Sequence, residues 1–407
     1  MNYTQKYFLN LIKCFYLNKE CTPPEDELNM RELYNLAEMH GVQGIIFSKI
    51  KDFSSITDSE YYQRLRMDFF SLTMGSVIIE ENLKTLTKLL NDNGYKHILF
   101  KGSVVKNFYP SKELRTMGDI DILVDVKDYE KIHNLLLKNN FEYDEQTSEK
   151  LTQAYDYNNT HFEVHTSLAN KNSYIHSGDF LSFFSDAFDH AVNIENLTYS
   201  LEPAYHLAFL LYHLERHFER NGFGIRMLLD FPFFYDKNQV DIGLLKKYLA
   251  QINLTDFASC IFNLCNNIFD SALPIIGEKQ LDSNLSEFLL NKVLAKGTFG
   301  ISGGDDDSRK ILWVQLKYGY NPATTSGKIK SFLRWLFPTK QDLCDLCLCT
   351  EETPTIKMPA VYFGRIIDAV KKRTGPKGKK YKTYNHRKIS NNDFLYINLL
   401  KELGIKK

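Results

Sequence analysis

The sequence lacks the features that would mark a membrane or secreted protein. The nearest candidate for a membrane span, residues 204–214, is too short to cross a bilayer and is interrupted by tyrosines and histidines. Residues 1–13 mix polar and apolar side chains and contain no apolar core of a signal peptide. We therefore expect a soluble, cytoplasmic protein with no membrane partner.

An excess of charge of one sign is also missing. The 407 residues include 50 Lys and Arg and 50 Asp and Glu, so the formal net charge is zero. Nucleic-acid-binding proteins usually carry a basic excess, and this balance therefore argues against a general nucleic-acid binder. Residues 371–388 are an exception, because they are rich in Lys, Arg and Gly, and we expect them to be exposed or mobile.

The cysteines do not form the paired pattern of a disulfide framework. There are seven, an odd number in a long chain. Cys344, Cys347 and Cys349 lie close together, but no second spaced pair completes a closed zinc site, and Cys260 and Cys265 have a different spacing. We interpret these cysteines as small buried apolar side chains on a helix.

The spacing of apolar residues changes twice along the chain. Helical spacing is found at residues 30–50, at residues 59–90 and again from residue 203. Between them lie short, strand-like apolar runs, at residues 95–100, 119–126 and 161–166.

A chain of this length is too long for one compact core, so we expect two or three domains. The order of the elements predicts an α+β fold with a small mixed sheet at residues 95–200. This core is flanked by an N-terminal helical region, residues 1–94, and a C-terminal helical region, residues 201–407.

Two carboxylates share one face of a predicted strand. Side chains alternate along a strand, so Asp119 and Asp121 point one way while Ile120 and Ile122 point into a core. Adjacent carboxylates repel each other, and a divalent cation that prefers oxygen ligands, Mg²⁺ or Mn²⁺, relieves that repulsion. If the strand that carries Glu163 is a neighbour, this residue completes a cluster of three carboxylates.

A glycine turn precedes the acidic strand. Gly102 and Ser103 stand where an apolar strand gives way to a short helix. Backbone N–H groups at such a turn can receive phosphate oxygens, the glycine permits close approach, and the serine hydroxyl adds a donor. Lys101 is a candidate for neutralising phosphate charge, although strand alternation could also turn it to solvent.

Together these motifs resemble the nucleotidyltransferase superfamily of polymerase-β type, and more closely its branch of uncharacterised bacterial nucleotidyltransferases. The resemblance is dense only between residues 99 and 168. It rests on Phe100-Lys101-Gly102, Tyr109-Pro110, Arg115, Asp119 to Val124 and Glu163-Val164-His165. Outside that stretch, further matches are His40-Gly41-Val42, His213, His217, Arg226 and Asp230.

The resemblance implies an ATP–Mg²⁺ site and the transfer of a nucleotidyl group, usually AMP, to an acceptor. Asp119 and Asp121 would ligate the metal, Glu163 would be the third carboxylate and a candidate general base, and Gly102 and Ser103 would hold the triphosphate. We expect a small molecule, a glycan precursor or a peptide as the acceptor rather than a nucleic acid. Three alternatives are a phosphotransferase on the same fold, a nucleotide-binding or partner-binding protein without turnover, and a tRNA-type nucleotidyltransferase, which the neutral charge disfavours.

Two side chains near the acidic strands have more than one interpretation. Arg115 could contact a phosphate bidentately, or form a structural ion pair with Asp119 or Glu113. His165 could face the site, or simply form a hydrogen bond to a neighbouring strand.

The C-terminal helical region contains two i, i+4 pairs. His213 and His217, which lie on one helical stripe with His206, could bind a metal, but we favour core or substrate-side polar residues. Arg226 and Asp230 could form a surface ion pair worth about 0.3–0.5 kcal/mol. Alternatively, they belong to the nucleotide site, with the helical region closing over the nucleotide.

Overall fold

The computed structural model describes residues 1–25, 28–149, 151–169, 179–220, 222–297, 326 and 391–405. Contacts divide the chain into two units, one formed by residues 1–301 with 402–405 and 407, and the other by residues 302–401 with 406. In the described part of the chain, no helix combines the length and the apolar character needed to cross a membrane. The predictions for Cys344, Cys347, Cys349 and residues 371–388 fall outside the described residues.

Helices form most of the described chain. They are α1 (Tyr3–Tyr16), α2 (Met30–His40), α3 (Gln43–Ile50), α4 (Glu60–Asp92), α5 (Gly102–Val105), α6 (Tyr129–Lys138), α7 (Phe180–Phe183), α8 (Pro203–Arg220), α9 (Ile225–Lys237), α10 (Ile242–Gln251), α11 (Thr255–Phe269), α12 (Ser283–Lys296) and α13 (Asn391–Glu402). The strands are β1 (His97–Leu99), β2 (Asp119–Val124), β3 (Glu142–Glu149), β4 (Thr152–Tyr157), β5 (Thr160–His165), β6 (Ala191–Glu195) and β7 (Thr198–Leu201).

The strands form one mixed sheet of seven in the order β3-β4-β5-β2-β1-β7-β6. The pairs β5–β2 and β1–β7 are parallel, whereas β2–β1 and the hairpins at both edges are antiparallel. The predicted α+β class with a small mixed sheet and helical flanks is therefore confirmed. All strands lie between His97 and Leu201, while the predicted domain boundaries remain a prediction.

The register of the two central strands positions the acidic residues. In the parallel pair β2–β5, Asp119 lies opposite His161, and Asp121 lies opposite Glu163. Because alternate side chains share a face, all four of these residues lie on the same side of the sheet.

The opposite face of the sheet forms a hydrophobic core with α4 and α6. Ile120, Ile122 and Val124 of β2 are buried there beside Phe162 and Val164 of β5. The helices contribute mainly leucines to this cluster: Leu83, Leu86 and Leu90 from α4, with Ile132 and Leu136 from α6. Burial of one face thus fixes which face of β2 and β5 is left for polar residues.

Several elements were missed or differ in detail from the prediction. Helix α1 lies within the predicted N-terminal helical region but was not predicted as a separate helix, although Asn2 and Gln5 form a capping box at its start. Strands β6 and β7 were also not predicted. Asp128 precedes α6, but its side chain makes no capping hydrogen bond, because its backbone is already in the right-handed helical region.

Candidate active site

Asp121 is the most enclosed carboxylate of the site, with a side chain only 3% exposed. Its Oδ1 atom accepts a hydrogen bond from Nζ of Lys101 at 2.6 Å, and Nε2 of His165 lies 2.8 Å from the same oxygen. Lys101 therefore faces the site rather than solvent. His165 also faces the site, so the first of its two interpretations holds.

Glu163 stands beside this pair on the neighbouring strand. Its Oε2 atom lies 3.2 Å from Nε2 of His165, and its side chain is 30% exposed. The ligand atoms of Asp121, Glu163 and His165 all lie within 4.8 Å of one another. The carboxylate of Asp119 is not part of this group, although Asp119 lines the adjoining cavity.

The proton affinities of these groups follow from their mutual contacts. The negative charge of Asp121, together with burial, raises the pKa of Asp119. The hydrogen bond from His165 lowers the pKa of Glu163 despite burial. Burial alone would lower the pKa of His165 and of Lys101, but the surrounding carboxylates outweigh it and raise both values.

Lys101 begins the turn into α5 with an unusual backbone. Its φ of +53° and ψ of −130° lie outside the regions that residues with a side chain normally adopt. The amide of Lys101 donates to Nε2 of the buried His206 at 3.2 Å, and its carbonyl accepts from the amides of Val104 and Val105. Since the acceptor nitrogen must be unprotonated, His206 is neutral, in agreement with burial lowering its pKa to about 3.

The two residues that follow Lys101 have different surroundings. Gly102 lines the cavity with Asp119 and Asp121, so the glycine turn lies beside the acidic strand as predicted. Ser103 is buried, and its hydroxyl donates to the carbonyl of Phe100 at 2.8 Å. The predicted use of this hydroxyl as a phosphate donor would require that hydrogen bond to break.

Arg115 and Asp230 form a buried bidentate ion pair. Nε and Nη2 of Arg115 donate to the two carboxylate oxygens of Asp230, each at 2.8 Å. The Tyr109 hydroxyl adds a third hydrogen bond to Asp230 at 2.7 Å. Arg115 therefore pairs with Asp230 on α9, rather than with Asp119 or Glu113. The surface pair considered for Arg226 and Asp230 is wrong, because Asp230 is buried and already engaged by Arg115 and Tyr109.

The remaining guanidinium nitrogen of Arg115, Nη1, lies over Gly102. A Cβ atom at Gly102 would stand 2.8 Å from Nη1 and 3.3 Å from Cγ of Met117. The guanidinium of Arg115 occupies the space that a side chain at position 102 would need, so glycine is favoured there. The sequence did not indicate this reason for the glycine. Among the described residues, Nη1 donates to no protein acceptor, and Arg115 lines the cavity.

Arg226, on α9, contributes a second guanidinium to the cavity. Its Nη1 donates to the carbonyl of Thr116, in the loop before β2. Burial, followed by the charge of Arg115, lowers the pKa of Arg226. Two like charges near each other in an enclosed site favour an anion between or beside them.

These residues surround a cavity of about 170 Å³. One wall comes from the sheet and the turns next to it, and the other comes from α8 and α9. Its lining residues are Lys101, Gly102, Arg115, Met117, Gly118, Asp119, Asp121, Leu210, His213, Leu214, His217, Arg226, Met227, Asp230 and Phe231. The cavity therefore brings the acidic strand together with three cationic residues, Lys101 and Arg115 from the turns beside the sheet and Arg226 from α9.

The paired histidines of α8 belong to this cavity. Nε2 of His213 and Nε2 of His217 lie 3.1 Å apart. Burial lowers the pKa of His213 well below its usual value, and the nearby charges of Lys101 and Arg226 act in the same direction. His213 is therefore a neutral group that faces the acidic strand, which agrees with its interpretation as a substrate-side or core polar residue.

A model of a family described as "Uncharacterised nucleotidyltransferase" matches residues 26–270. This match covers more than half of the chain. The chain belongs to this family. The resemblance found in the sequence is thereby confirmed, and the matched residues include all of the sheet together with α8 and α9. None of the curated proteins compared with the chain matches it.

The polar groups of this site fit a divalent cation. Asp121 and Glu163 offer carboxylate oxygens within reach of one ion, and Nε2 of His165, which donates hydrogen bonds to them, can bind a metal only after it loses its proton. The ammonium of Lys101 shows that a cation is stable at this position, since it lies 2.6 Å from Asp121. Asp119, which is two residues before Asp121 on the same face, stands next to this group and can extend it.

Three residues that contact the candidate site residues were not themselves predicted as site residues: His206, Tyr109 and Thr116. His206 shares a helical stripe with His213, and this spacing was the available signal. Tyr109 and Thr116 act through residues distant in sequence, Asp230 and Arg226, and no local pattern reveals such contacts.

Proposed function

We propose that this protein is a Mg²⁺-dependent nucleotidyltransferase that transfers AMP from ATP to an acceptor group. The proposal rests on one observation above all, the in-register pairing that places Asp121 beside Glu163, next to a cavity that Lys101, Arg115 and Arg226 also line. Membership of the family supports the reaction class. Carboxylates alone would repel a triphosphate, and Lys101, Arg115 and Arg226 supply the compensating charge.

Asp121, Glu163 and Asp119 would hold the metal, Mg²⁺ or Mn²⁺, which neutralises phosphate charge and orients the triphosphate. Lys101 and the free Nη1 of Arg115 bind phosphate oxygens beside Gly102. The first two amides of the turn, at Gly102 and Ser103, precede the first intrahelical hydrogen bond and are available to the same oxygens.

The reaction forms one bond and breaks one bond at the α-phosphorus. The acceptor oxygen attacks phosphorus as its proton passes to Glu163, and the bond to the β-phosphate oxygen breaks, so that pyrophosphate leaves with the electron pair. Glu163 is ionised and can therefore accept a proton, because the hydrogen bond from His165 lowers its pKa; the same shift makes it a weaker base than an unpaired carboxylate. Its partial exposure leaves it open to an acceptor.

The acceptor site is the part of the cavity bounded by α8 and α9. His213 and His217 can exchange hydrogen bonds with a hydroxyl or amide, while Met227, Leu210 and Phe231 give apolar contact. The enclosed volume and the neutral net charge favour a small molecule, a glycan precursor or a peptide terminus over a nucleic acid.

The decisive experiment is incubation with Mg²⁺ and ATP labelled at either the α or the γ phosphate, together with pools of candidate acceptors. We expect pyrophosphate release and α-label in product, and a loss of at least about 100-fold in Asp121→Asn and Asp119→Asn. Asp125→Asn, a carboxylate beyond the end of β2, is the matched control and should retain activity. ADP with γ-label in product would establish phosphoryl transfer instead, and ATP binding without product would favour a sensor.

A further inference from the structure

His165 lies between the two carboxylates that the proposed function assigns to the metal. Its Nε2 atom is 2.8 Å from Oδ1 of Asp121 and 3.2 Å from Oε2 of Glu163. The oxygens of an ionised carboxylate can only accept hydrogen bonds, so a nitrogen this close to two of them must carry a hydrogen. Nε2 of His165 is therefore a shared donor to both carboxylates.

The other ring nitrogen of His165 has a partner of a different kind. Thr152 of β4 lies directly opposite His165 in the antiparallel pair β4–β5, and its Oγ1 atom is 3.0 Å from Nδ1. A hydroxyl can donate or accept, so Thr152 satisfies Nδ1 whether or not that nitrogen carries a hydrogen. In both cases the hydrogen on Nε2 remains directed at the carboxylates.

The contact with Thr152 also selects the orientation of the imidazole ring. A half-turn about the Cβ–Cγ bond would place the carbon Cδ2 at the hydroxyl and the carbon Cε1 at the carboxylates, and both hydrogen-bonded nitrogens would lose their partners. Phe100 packs edge-on against the ring of His165, with centroids 5.2 Å apart, and His165 is only 8% exposed. The ring is thus held on several sides, with Nε2 at the carboxylates.

These contacts divide each carboxylate into a held oxygen and a free one. Oδ1 of Asp121 accepts from Lys101 as well as from His165, whereas no described residue forms a hydrogen bond with Oδ2. Glu163 is engaged through Oε2, and within the described chain its Oε1 has no hydrogen-bond partner. The free oxygens keep their full capacity for a hard cation, which prefers oxygen to nitrogen ligands.

We propose that His165 is a positioning residue of this site and not a metal ligand. Through Nε2–H it holds Asp121 and Glu163 by one oxygen each and leaves Oδ2 and Oε1 to bind the ion. Thr152 keeps the ring in the orientation that this role requires. Partners that orient metal-binding side chains in this way commonly tune metal affinity. The inference rests on the proposed function, because it concerns the metal of that reaction.

Electron-spin-echo spectroscopy with Mn²⁺ alone, without nucleotide, tests whether His165 ligates the ion. A ligated imidazole nitrogen couples to the electron spin of manganese, and we expect no nitrogen coupling that His165→Gln removes. A coupling that is present in the wild type and lost in His165→Gln would overturn the proposal. A wild-type chain that binds no Mn²⁺ would instead contradict the proposed metal site, and the role of His165 would fall with it.

The Mn²⁺ affinities of two variants test the holding role of His165. His165→Leu removes the donor and should weaken binding by about 10- to 100-fold, the usual cost of losing a residue that orients metal ligands. The amide N–H of His165→Gln can replace Nε2–H, so this variant should keep most of the affinity. Circular dichroism checks that both variants fold. Equal losses in the two would indicate a ligand and contradict the holding role.

Thr152 provides a comparison that leaves the imidazole in place. Thr152→Val keeps the branched shape but removes the hydroxyl, and we expect Mn²⁺ binding to weaken by about 2- to 10-fold, the effect of one hydrogen bond. Thr152→Ser should restore the wild-type affinity. Thr147→Val is the matched control, because Thr147 is an exposed residue of β3 whose hydroxyl donates to Asp144. Equal affinities of Thr152→Val and the wild type would overturn the role assigned to Thr152.

Discussion

Arg115 shows how one side chain can be held for a task by residues that do not touch the substrate. Asp230 engages Nε and Nη2 and leaves Nη1 over Gly102, next to the proposed phosphate position. Tyr109 holds Asp230 in turn. Under the proposed function, this arrangement would leave Arg115 to contact the phosphates and make Asp230 a positioning residue, a division that the sequence resemblance left open.

Removing either Arg115 or Asp230 should lower the stability of the fold, because the remaining buried charge then has no partner. We expect Asp230→Ala and Arg115→Ala each to lower the free energy of unfolding by about 3–5 kcal/mol. The double variant should lose much less than the sum of the two, since both unpaired charges are then removed. Urea unfolding of all four proteins measures the coupling, and additive losses would contradict a direct pair.

Gly102 provides a second test at the scale of single residues. An added methyl group would stand 2.8 Å from Nη1 of Arg115, so Gly102→Ala should displace the guanidinium and lower stability by about 1–3 kcal/mol. Gly118 is the control, because a methyl group there would have no described atom within 4 Å. Equal unfolding midpoints for the two alanine variants would show that Arg115 does not need the space above Gly102.

At the scale of elements, α8 supports the turn before α5. His206 of α8 accepts the amide of Lys101, whose backbone is in an unfavourable conformation. Burial lowers the pKa of His206 to about 3, from a usual value near 6.5. Because this pKa is lower in the folded state, the stability it contributes is complete above about pH 6.5 and is lost as the pH falls toward 3.

The effect should be visible in a comparison with His206→Gln, whose amide oxygen can accept the same hydrogen bond but does not titrate. Between pH 7 and pH 5 the wild type should lose about 2 kcal/mol more than this variant. Urea unfolding at several pH values gives the difference. Parallel pH profiles would mean that His206 is not held neutral in the folded state.

The strands of the sheet were not equally predictable. β2 and β5 alternate apolar and polar residues, so the faces of Asp121 and Glu163 could be read from local sequence. β6 is mostly exposed and β7 has only four residues, and both gain their structure by pairing at the edge of a sheet that already exists. Such strands carry little apolar pattern of their own, which is why they were missed.

At the scale of the whole molecule, the active-site cavity is built by regions far apart in sequence. Lys101, Asp121 and Glu163 come from the sheet region, whereas Arg226 and Asp230 come from α9. A ligand that bridges these regions must stabilise the folded chain, because the unfolded chain has no such site.

We therefore expect MgATP at about 100 times its dissociation constant to raise the free energy of unfolding by about 2.7 kcal/mol. Asp121→Asn should lose the part of this gain that depends on Mg²⁺, and Asp125→Asn should keep it. Thermal unfolding with ATP, with and without EDTA, separates the two parts. The same stabilisation with and without the metal would argue against a metal held by Asp121.

The sequence by itself determined which residues share a face and what chemistry they carry. Alternation along a strand is local, so the side of the sheet occupied by Asp119, Asp121 and Glu163, and the mixed α+β class, followed from spacing. Only the tertiary structure showed which polar side chains contact each other. Arg115 pairs with Asp230, Lys101 with His206, and both Lys101 and His165 with Asp121. These contacts join residues 20 to 115 positions apart, and their choice depends on how helices close over the sheet, which no local pattern encodes.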